Sequence, residues 1–527
     1  IIFKAVTKKE MKLPFFAVLL NIPKQNQTTA MPNEQKNLLK ESELKINPKK
    51  TQWAQFGTLV SVFFFWGFVA ASNDILIPVF KKAFNLSQGE SQLVSVAFYV
   101  AYTVGSLIYV GISKVIGSDL LNKIGYKNGI AIGLVISALG TLLFYPAANT
   151  GSFILMISGL FIVGLGFSLQ QIAANPLAIV MGDPKTGSQR LTMAGGVNNF
   201  GTTIGPLLVS FAIFGSVAAA NPDASIESVK IPYLILGLAF LVVAVFIKFS
   251  SVPNKIDLEE VAKSEADEDG KLLQRSSAFK YPQLVMGMIA IFVYVGVEVS
   301  TASNLPDYLQ KHLNIETKDV APYISLYWAS LMIGRWTGAV GAFDVSKGAK
   351  QMLSFFMPYL AFAVFLLVNS IAKHDISQFY IYAVVIAAMI VCDIASKGNP
   401  ARMLLIFSVA GIAALLVGML SSGIVSAYAF TSVGLFCSTL WPCIFTIAVA
   451  GLGKNTNQGS SLLIMMIMGG GIVSWLQGVL ADTIGIQYSY IVGIICFAYL
   501  AFYAIRAKSV LQSQGIDFDK LNAEGGH

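Results

Sequence analysis

The chain has 527 residues, of which 55% are hydrophobic and 12% are charged, and its formal net charge is +8. The charged fraction is about half that of an ordinary soluble domain, which excludes a water-soluble globular fold. Lys and Arg concentrate in the N-terminal segment and in alternate loops, the pattern of cytoplasmic loops in a membrane protein. A basic face for nucleic acid is therefore not expected.

Residues 1–52 are predicted to be a cytoplasmic tail. The run from Leu13 to Ile22 loosely imitates a signal peptide, but no convincing cleavage site follows it. The first residue is Ile, so we expect that translation naturally begins at Met31 or that the first fifty residues form a mobile tail.

Fourteen apolar runs follow, with lengths near the 20 residues that a helix needs to cross roughly 30 Å of hydrocarbon. They lie near 54–80, 91–112, 129–147, 152–181, 190–217, 231–252, 282–306, 320–343, 351–372, 379–393, 402–420, 422–452, 458–480 and 484–505. The sequence thus predicts an all-α polytopic membrane protein. The run near 379–393 is short, which keeps twelve or thirteen crossings as alternatives.

The predicted crossings divide into two halves. Residues 53–253 form an N-terminal six-helix bundle, 254–281 a polar cytoplasmic linker, and 282–508 a C-terminal bundle with two extra helices inserted near 351–393. Residues 509–527 form a cytoplasmic C-terminal tail. An even insertion keeps both termini on the cytoplasmic side and preserves the charge asymmetry of the loops.

Two prolines support a repeat. Pro176 and Pro442 are each followed by a polar loop and a Gly-rich helix start, and the intervals Pro176 to Gly205 and Pro442 to Gly471 are both 29 residues. Paired spans that are interrupted by Pro and Gly at matching places are typical of two-fold repeated carriers.

A charge at mid-bilayer costs about 2.5–3.5 kcal/mol on insertion scales, so each one requires a reason. Asp74 lies well inside the first run, after Asn73 and before Pro78. It could be a structural acid at a helix break. The functional alternative is a carboxylate that faces a water-filled cavity and exchanges a proton.

Glu298 is the corresponding acid at the start of the second half, with Thr301 on the same helical face. The predicted role of this face is to bind ligand hydroxyl groups; a helix–helix hydrogen bond is the alternative. Side-chain amides both donate and accept and so match a hydroxylated ligand. The fourth run contributes Gln170, Gln171 and Asn175, and the fifth contributes Asn198 and Asn199; of these, Gln171, Asn175 and Asn198 are the predicted ligands. Their alternative is interhelical bonding.

Two larger side chains complete the candidates. Trp328 could stack on a sugar ring, although membrane tryptophans more often pack or lie at interfaces. Arg335 is interpreted as a gating or structural residue, either in an ion pair that closes a gate or with its charge snorkelling to the headgroups.

Enzyme functions find little support. The sequence has no phosphate-binding loop of the G-x-x-x-x-G-K-[ST] type, and its three His and four Cys show no metal-ligand or haem-ligand spacing. We therefore expect no metal site and no cofactor, with an ion gradient as the driving force.

Many motifs resemble, in order, those of the fucose, galactose and glucose proton symporters of the major facilitator superfamily. They are Trp66-Gly67, Asn73-Asp74-Ile75, Lys123-Ile-Gly125-Tyr126-Lys127, Gln171-Ile-Ala-Ala-Asn175-Pro176, Arg190-Leu191 with Asn198, Ser325-Leu-Tyr327-Trp328, Gly334-Arg335, Trp441-Pro442, Gly459-Ser460-Ser461-Leu462 and Gln477-Gly478 to Ile486. The resemblance runs from about residue 53 to 508.

The resemblance implies two six-helix bundles around a central cavity that work by alternating access. Asp74 would match the family's proton-coupling acid, and Gln171 stands where the fucose permease has Glu, which favours glucose or galactose. A fifth-helix Gln usual in the family is Gly195 here. The two additional spans resemble those of a Bacteroidetes branch, which implies a bacterial inner membrane.

The expected partners are a monosaccharide, protons and the lipid bilayer, and the protein is expected to be monomeric. The alternatives that remain open are another sugar such as L-fucose, sodium coupling, a drug antiporter, and a sugar sensor that does not transport.

Overall fold

The computed structural model describes residues 51–84, 88–183, 186–214, 230–256, 275–315 and 317–519, without the side chains at 70–83, 88–95, 206–214, 311 and 317–319. The longer helices in these ranges are α1 Trp53–Ala83, α2 Gln88–Val115, α3 Tyr126–Leu142, α4 Phe153–Val180, α5 Gly187–Phe214, α6 Lys230–Phe249, α7 Pro282–Asp307, α8 Thr317–Ala339, α9 Lys347–Ile371, α10 Tyr382–Ser396, α11 Pro400–Leu420, α12 Gly423–Cys437, α13 Leu440–Val449, α14 Thr456–Met465, α15 Gly469–Ile484 and α16 Ile491–Ser513. Short helical segments are Leu120–Ile124, Phe144–Thr150, Ala278–Lys280, Tyr308–His312, Val340–Ala342, Ser377–Ile381, Gly453–Asn455, Met466–Met468 and Ile486–Ser489.

Among the described residues, eleven helices are long and apolar enough to cross a membrane. The predicted short crossing near 379–393 is among them, as the 20-residue segment Ser377–Ser396. Helices α5 and α8 are also long, with 28 and 23 residues, but they carry polar side chains and are not among the eleven. The count of fourteen crossings therefore stays a prediction.

Local sequence sets several helix starts. Ser152 accepts a hydrogen bond from the backbone N–H of Leu155 and begins α4, and Ser346 does the same for α9. Asn399 caps α11 with its side chain, and Pro400 occupies the first helical position, where its missing N–H costs nothing. These side chains pair backbone N–H groups that have no partner within the helix, so they favour helix starts at these residues.

The outer surface of the bundle is apolar, the reverse of a soluble protein. Helix α6 exposes one stripe of large aliphatic and aromatic side chains with helical spacing: Ile231, Ile235, Leu238, Val242, Val245 and Phe249. In the segment Gly423–Val449, by contrast, the residues from Phe430 to Leu440 are all buried, so this part lies in the interior. A stripe of this kind is compatible with lipid and not with water, so the predicted membrane class agrees with the packing.

Two pairs of helices, α1 with α5 in the first half and α7 with α15 in the second, pack against each other through glycine. A Cβ at Gly201 of α5 would lie 2.4 Å from the Phe64 carbonyl oxygen of α1, and a Cβ at Gly469 of α15 would lie 2.1 Å from that of Phe292 in α7. The two halves thus use the same device. The predicted domain boundaries remain predictions.

The predicted insertion forms two helices, α9 and α10, that dock on α8. The Asn369 amide donates to the Ser325 hydroxyl at 2.9 Å, and the Ser330 and Tyr382 hydroxyls lie 2.8 Å apart. The inserted pair therefore extends the C-terminal half on the side of α8.

One end of the bundle carries the basic loops with Lys123, Lys127 and Lys454, and we call it the basic end. The C-terminal segment folds back onto the loop before α11 at this end. The Asp519 carboxylate accepts from Lys508 at 2.5 Å, from the Asn399 amide at 2.7 Å and from Arg402 at 3.0 Å. The hydrogen bond from Lys508 and the charges of Lys508 and Arg402 hold the pKa of Asp519 below its ordinary value.

A methyl group at Gly67 should destabilise the fold. Its Cβ would lie 1.8 Å from the Asn198 carbonyl oxygen, so α1 and α5 would have to separate. Overpacking of this kind typically costs about 1–3 kcal/mol. We expect Gly67→Ala to lower the melting temperature of the purified protein in detergent. The matched control is Gly57→Ala on the same helix, where a Cβ meets nothing within 4 Å; equal melting temperatures for the two variants would contradict the prediction.

The Asp519 contacts should make docking of the C-terminal segment depend on pH. The docked carboxyl has a lowered pKa, so the ionised form stabilises docking above the ordinary pKa of about 4, and this contribution is lost as the pH falls through the docked pKa. We expect Asp519→Asn to accelerate amide hydrogen exchange in segment 511–519 at neutral pH. The difference from the unmodified protein should shrink on acidification. Asp482→Asn, at an exposed acid of α15, is the control; a pH-independent difference would contradict the prediction.

Candidate functional site

Asp74 and Asn73 lie in α1, which continues through Pro78 to Ala83. Their side chains lie outside the described residues. The structure thus shows these two residues within a continuous helix, and their predicted roles remain predictions.

The two adjacent glutamines of α4 have different surroundings. Gln170 is buried, accepts from the Trp66 indole at 2.7 Å and donates to the Ser137 hydroxyl at 3.0 Å, so it joins α4 to α1 and α3. Gln171 is half-buried and donates to the Tyr102 hydroxyl of α2 at 3.2 Å. Gln170 therefore bonds helices to one another, while the side-chain amide of Gln171 stays partly accessible to solvent or a ligand.

Three candidate polar groups are buried without a hydrogen-bond partner among the described residues. They are the Asn175 amide nitrogen and the hydroxyl groups of Ser300 and Thr301. An unpaired buried donor or acceptor costs roughly 1–3 kcal/mol, so each needs an explanation such as a ligand or water. Thr301 and Asn175 were predicted ligand groups. Their unmet hydrogen bonds leave them available for that role.

Asn198 and Asn199, which are adjacent on α5, form hydrogen bonds with different helices. Asn198 donates to the Phe63 carbonyl of α1 at 3.0 Å, which makes it part of the packing between α1 and α5. Asn199 is buried, and its amide oxygen accepts from Arg335 at 2.5 Å. Of these two candidate amides, Asn199 thus contacts the second half, while Asn198, the predicted ligand, does not do so through this bond.

Arg335 lies between the two halves with only 8% of its surface exposed. Its guanidinium donates to the Ser438 carbonyl at 2.8 Å, to Asn199 and Gly195 of α5, and to the Tyr294 hydroxyl at 3.3 Å. Snorkelling to the headgroups, one of the two interpretations of this residue, is wrong because the charge is buried in protein. The contacts across the halves agree with a gating position, through hydrogen bonds to neutral groups.

Glu298 lies on α7 close to this arginine. Its carboxylate interacts with the Tyr294 hydroxyl one turn earlier and with the charge of Arg335. Its backbone carbonyl accepts from the Tyr327 hydroxyl at 2.7 Å, and the Trp328 ring packs edge-on against Tyr327 with centroids 5.5 Å apart. Glu298 and Arg335 therefore interact with the same tyrosine, Tyr294, and Trp328 lies next to Tyr327, which bonds to the Glu298 backbone.

Pro176 and Pro442, the two prolines at matching places in the halves, each leave one backbone carbonyl without its helical hydrogen bond. Proline lacks an N–H, so the carbonyl four residues earlier loses its helical partner. Before Pro176 this is Ile172, whose oxygen accepts from the Ser460 hydroxyl of α14 at 3.1 Å. Before Pro442 it is Ser438, whose oxygen accepts from Arg335. Pro442 also follows the break between α12 and α13. Both prolines thus supply acceptors to side chains of other helices.

The halves also join near the basic end, between α14 and the loop after α2. The Asn457 amide donates to the Asp119 carboxylate at 2.8 Å, and the Tyr126 hydroxyl bonds to Asn457. Slightly deeper, the Ser461 hydroxyl donates to the Ser106 carbonyl at 3.2 Å. These bonds hold the basic end closed in this conformation.

Sequence reasoning missed Tyr102, Tyr294 and Asn457. Tyr294 could have been found, because it precedes Glu298 by four residues and so shares its helical face. Tyr102 and Asn457 act through contacts to distant parts of the chain, for which the sequence carries no local signal.

Comparison with known proteins places the chain in a family. Residues 56–392 match the model of the Major Facilitator Superfamily. The chain is 33% identical over 450 residues to the glucose/galactose transporter of Brucella abortus, covering 85% of this chain and 92% of that protein. The chain therefore belongs to the major facilitator superfamily, a class of membrane transporters and not of enzymes.

Other relatives are named for sugars as well. The chain is 28% identical to the putative glucose/galactose transporter of Helicobacter pylori, covering 87% of this chain and 98% of that protein. It is 28% identical to the L-fucose-proton symporter of Escherichia coli, with coverages of 85% and 92%. The crystal structure of FucP in the outward conformation matches with a TM-score of 0.64 at 26% identity, covering 86% of this chain and 98% of that one. The predicted fold is confirmed.

Removal of the Asn457 side chain should loosen closure at the basic end, because it breaks the bonds to Asp119 and Tyr126 together. Cys443 is a native reporter: its sulfur lies 3.9 Å from the Ser188 hydroxyl of the other half and is buried. We expect Asn457→Ala to raise the rate of maleimide labelling of Cys443 by about tenfold, the lower end of what the loss of a charge-assisted bond of roughly 1.5–3 kcal/mol allows.

The control for that experiment is Asn455→Ala. Asn455 lies two residues away, and its amide donates to the Arg275 carbonyl of the linker and not to the first half. Its removal should leave labelling unchanged. Labelling that rises equally in both variants would contradict a specific role for Asn457.

Proposed function

We propose that this chain imports a monosaccharide by symport with protons through alternating access. The observation that carries the proposal is the 33% identity to a protein named a glucose/galactose transporter, over 92% of that protein's length. Glucose and galactose are accordingly the favoured substrates, and Gln171, in place of the acid of the fucose permease, agrees with them.

The described side chains suit a sugar. Sugar hydroxyls donate and accept at once, so they pair well with amides and with carboxylates. Gln171 is half-buried, Asn175 and Thr301 have unmet hydrogen bonds, and Glu298 supplies a carboxylate on the helix whose backbone accepts from Tyr327, the neighbour of Trp328 in the chain. We assign these residues and Asn73 to sugar binding, with Asn198 supporting the site through α1.

Asp74 is the proposed proton site. When a proton from the periplasm binds this carboxylate, the charge in the cavity is neutralised and sugar binding becomes favourable. The loaded protein then rocks so that the basic end opens and both ligands leave. The bonds of Asn457 and Ser460 join the two halves at the basic end, which supports a conformation closed toward the cytoplasm in the proposed orientation.

The proposed location is a bacterial inner membrane, with both termini in the cytoplasm. The basic loops support the proposed orientation, because Lys and Arg are retained on the cytoplasmic side. We propose that it works as a monomer, with the driving force supplied by the proton gradient and no cofactor.

The test is sugar uptake into proteoliposomes under an imposed pH gradient. Asp74→Asn removes the titratable group and should abolish accumulation against a gradient while exchange of sugar across the membrane persists. Asp482→Asn, the same change at an exposed acid, should accumulate sugar normally. Equal accumulation by Asp74→Asn and the unmodified protein would show that Asp74 is not the coupling site.

The same vesicles decide between the alternatives. A panel of competing monosaccharides should show that glucose and galactose inhibit uptake of the labelled sugar more strongly than L-fucose. Replacing the proton gradient by a sodium gradient should stop accumulation; accumulation driven by sodium alone would replace proton coupling by sodium coupling.

A further inference from the structure

The buried guanidinium of Arg335, on α8, makes hydrogen bonds to α5 that hold these two helices together. Two of its hydrogen bonds reach α5 of the first half, at Asn199 and at the Gly195 carbonyl. Two others stay within the second half, at the Ser438 carbonyl and the Tyr294 hydroxyl. One side chain thus fastens both halves together.

A buried arginine needs a counter-charge, because an isolated charge in a medium of low dielectric is costly. The acceptors that it contacts directly are neutral. The charge that acts on it is that of Glu298, which reaches it through Tyr294: the tyrosine hydroxyl interacts with the carboxylate and accepts from the guanidinium. Glu298 therefore stabilises Arg335 in its position between the halves.

Glycine in α5 makes room for this arrangement. A Cβ at Gly195 would lie 3.1 Å from Nη1 and 3.2 Å from Cδ of Arg335, and a Cβ at Gly196 would lie 2.8 Å from the Trp336 ring. The guanidinium thus fills the space beside Gly195. A longer side chain at this position would displace it.

We propose that Arg335 is a positioning residue through which occupancy of Glu298 controls closure of the basic end. The proposal rests on the proposed function in one respect, since it takes the ligand of Glu298 to be the transported sugar. With Glu298 unoccupied, its charge holds Arg335 against Asn199 and the halves stay closed at this end.

Sugar hydroxyls that donate to the Glu298 carboxylate disperse this charge and compete with Tyr294. The hold on Arg335 weakens, and its bonds to α5 can break as the halves rock. Linkage requires the reverse as well: a change that opens the basic end must alter sugar affinity by the same factor. Arg335 itself need not touch the sugar.

The test measures maleimide labelling of Cys443 in the full-length protein without sugar, in a background where the half-exposed Cys392 is replaced by Ser. We expect Arg335→Gln and Glu298→Gln each to raise the labelling rate about tenfold, the scale of one lost charge-assisted bond. Because both substitutions disrupt the same contact between Arg335 and α5, Cys443 should be labelled no faster in the double variant than in the faster single variant. Arg335→Lys, which keeps the charge, should restore part of the protection.

A second variant leaves both charges in place. Gly195→Ala pushes on the guanidinium and should also accelerate labelling, whereas Gly471→Ala, whose Cβ meets nothing within 4 Å, should not. Each variant is first checked for a single symmetrical peak in size-exclusion chromatography. This pair keeps the test informative if a charge substitution prevents folding.

Two results would overturn the proposal: labelling that rises in Arg335→Gln but not in Glu298→Gln, or effects of the two substitutions that multiply in the double variant. Neither depends on the substrate. A different result separates this proposal from the proposed function. If the variants behave as expected but glucose and galactose leave the labelling rate of the unmodified protein unchanged, the link between Glu298 and Arg335 is supported. The proposed sugar function is then the part that fails.

Discussion

The structure depends on one electrostatic constraint, the burial of the Arg335 charge between two apolar bundles. A guanidinium carries five N–H donors, and in a dry interface each one must find an acceptor. Here the acceptors come from α5, α7 and the break after α12. Because a buried charge is stable only where its N–H groups all find acceptors, the two halves must meet with these acceptors in place around Arg335.

Proline and glycine supply much of the geometry for this contact. Pro442 removes the helical donor to Ser438 and leaves a carbonyl for Arg335, and Pro176 does the same at Ile172 for Ser460. Gly195 and Gly196 let α8 approach α5. Proline and glycine are poor helix formers, but each has a role in these helices. Proline leaves a backbone carbonyl free to accept a side-chain hydrogen bond, and glycine lets two helices approach closely.

The interior of the second half is correspondingly polar. Tyr294, Glu298 and Tyr327 lie near one another in helices whose outer surfaces are apolar, and Ser300 and Thr301 are buried with hydroxyls unpaired among the described residues. A fold that had no ligand would be more stable with apolar groups at these places. The retained polar groups agree with the proposed sugar path through an otherwise apolar protein.

The sequence by itself determined the membrane class, the helical crossings, the two halves with an insertion, and the polar residues that a bilayer makes expensive, because hydropathy and charge act locally along the chain. Glu298, Arg335 and both prolines were found in this way. It could not determine that Asn199 and not Asn198 meets Arg335, that Gln170 is tied to Trp66 while Gln171 is not, or that Arg335 is buried. Adjacent residues on a helix point about 100° apart. Only the packing of helices that are distant in sequence decides which of them faces a partner.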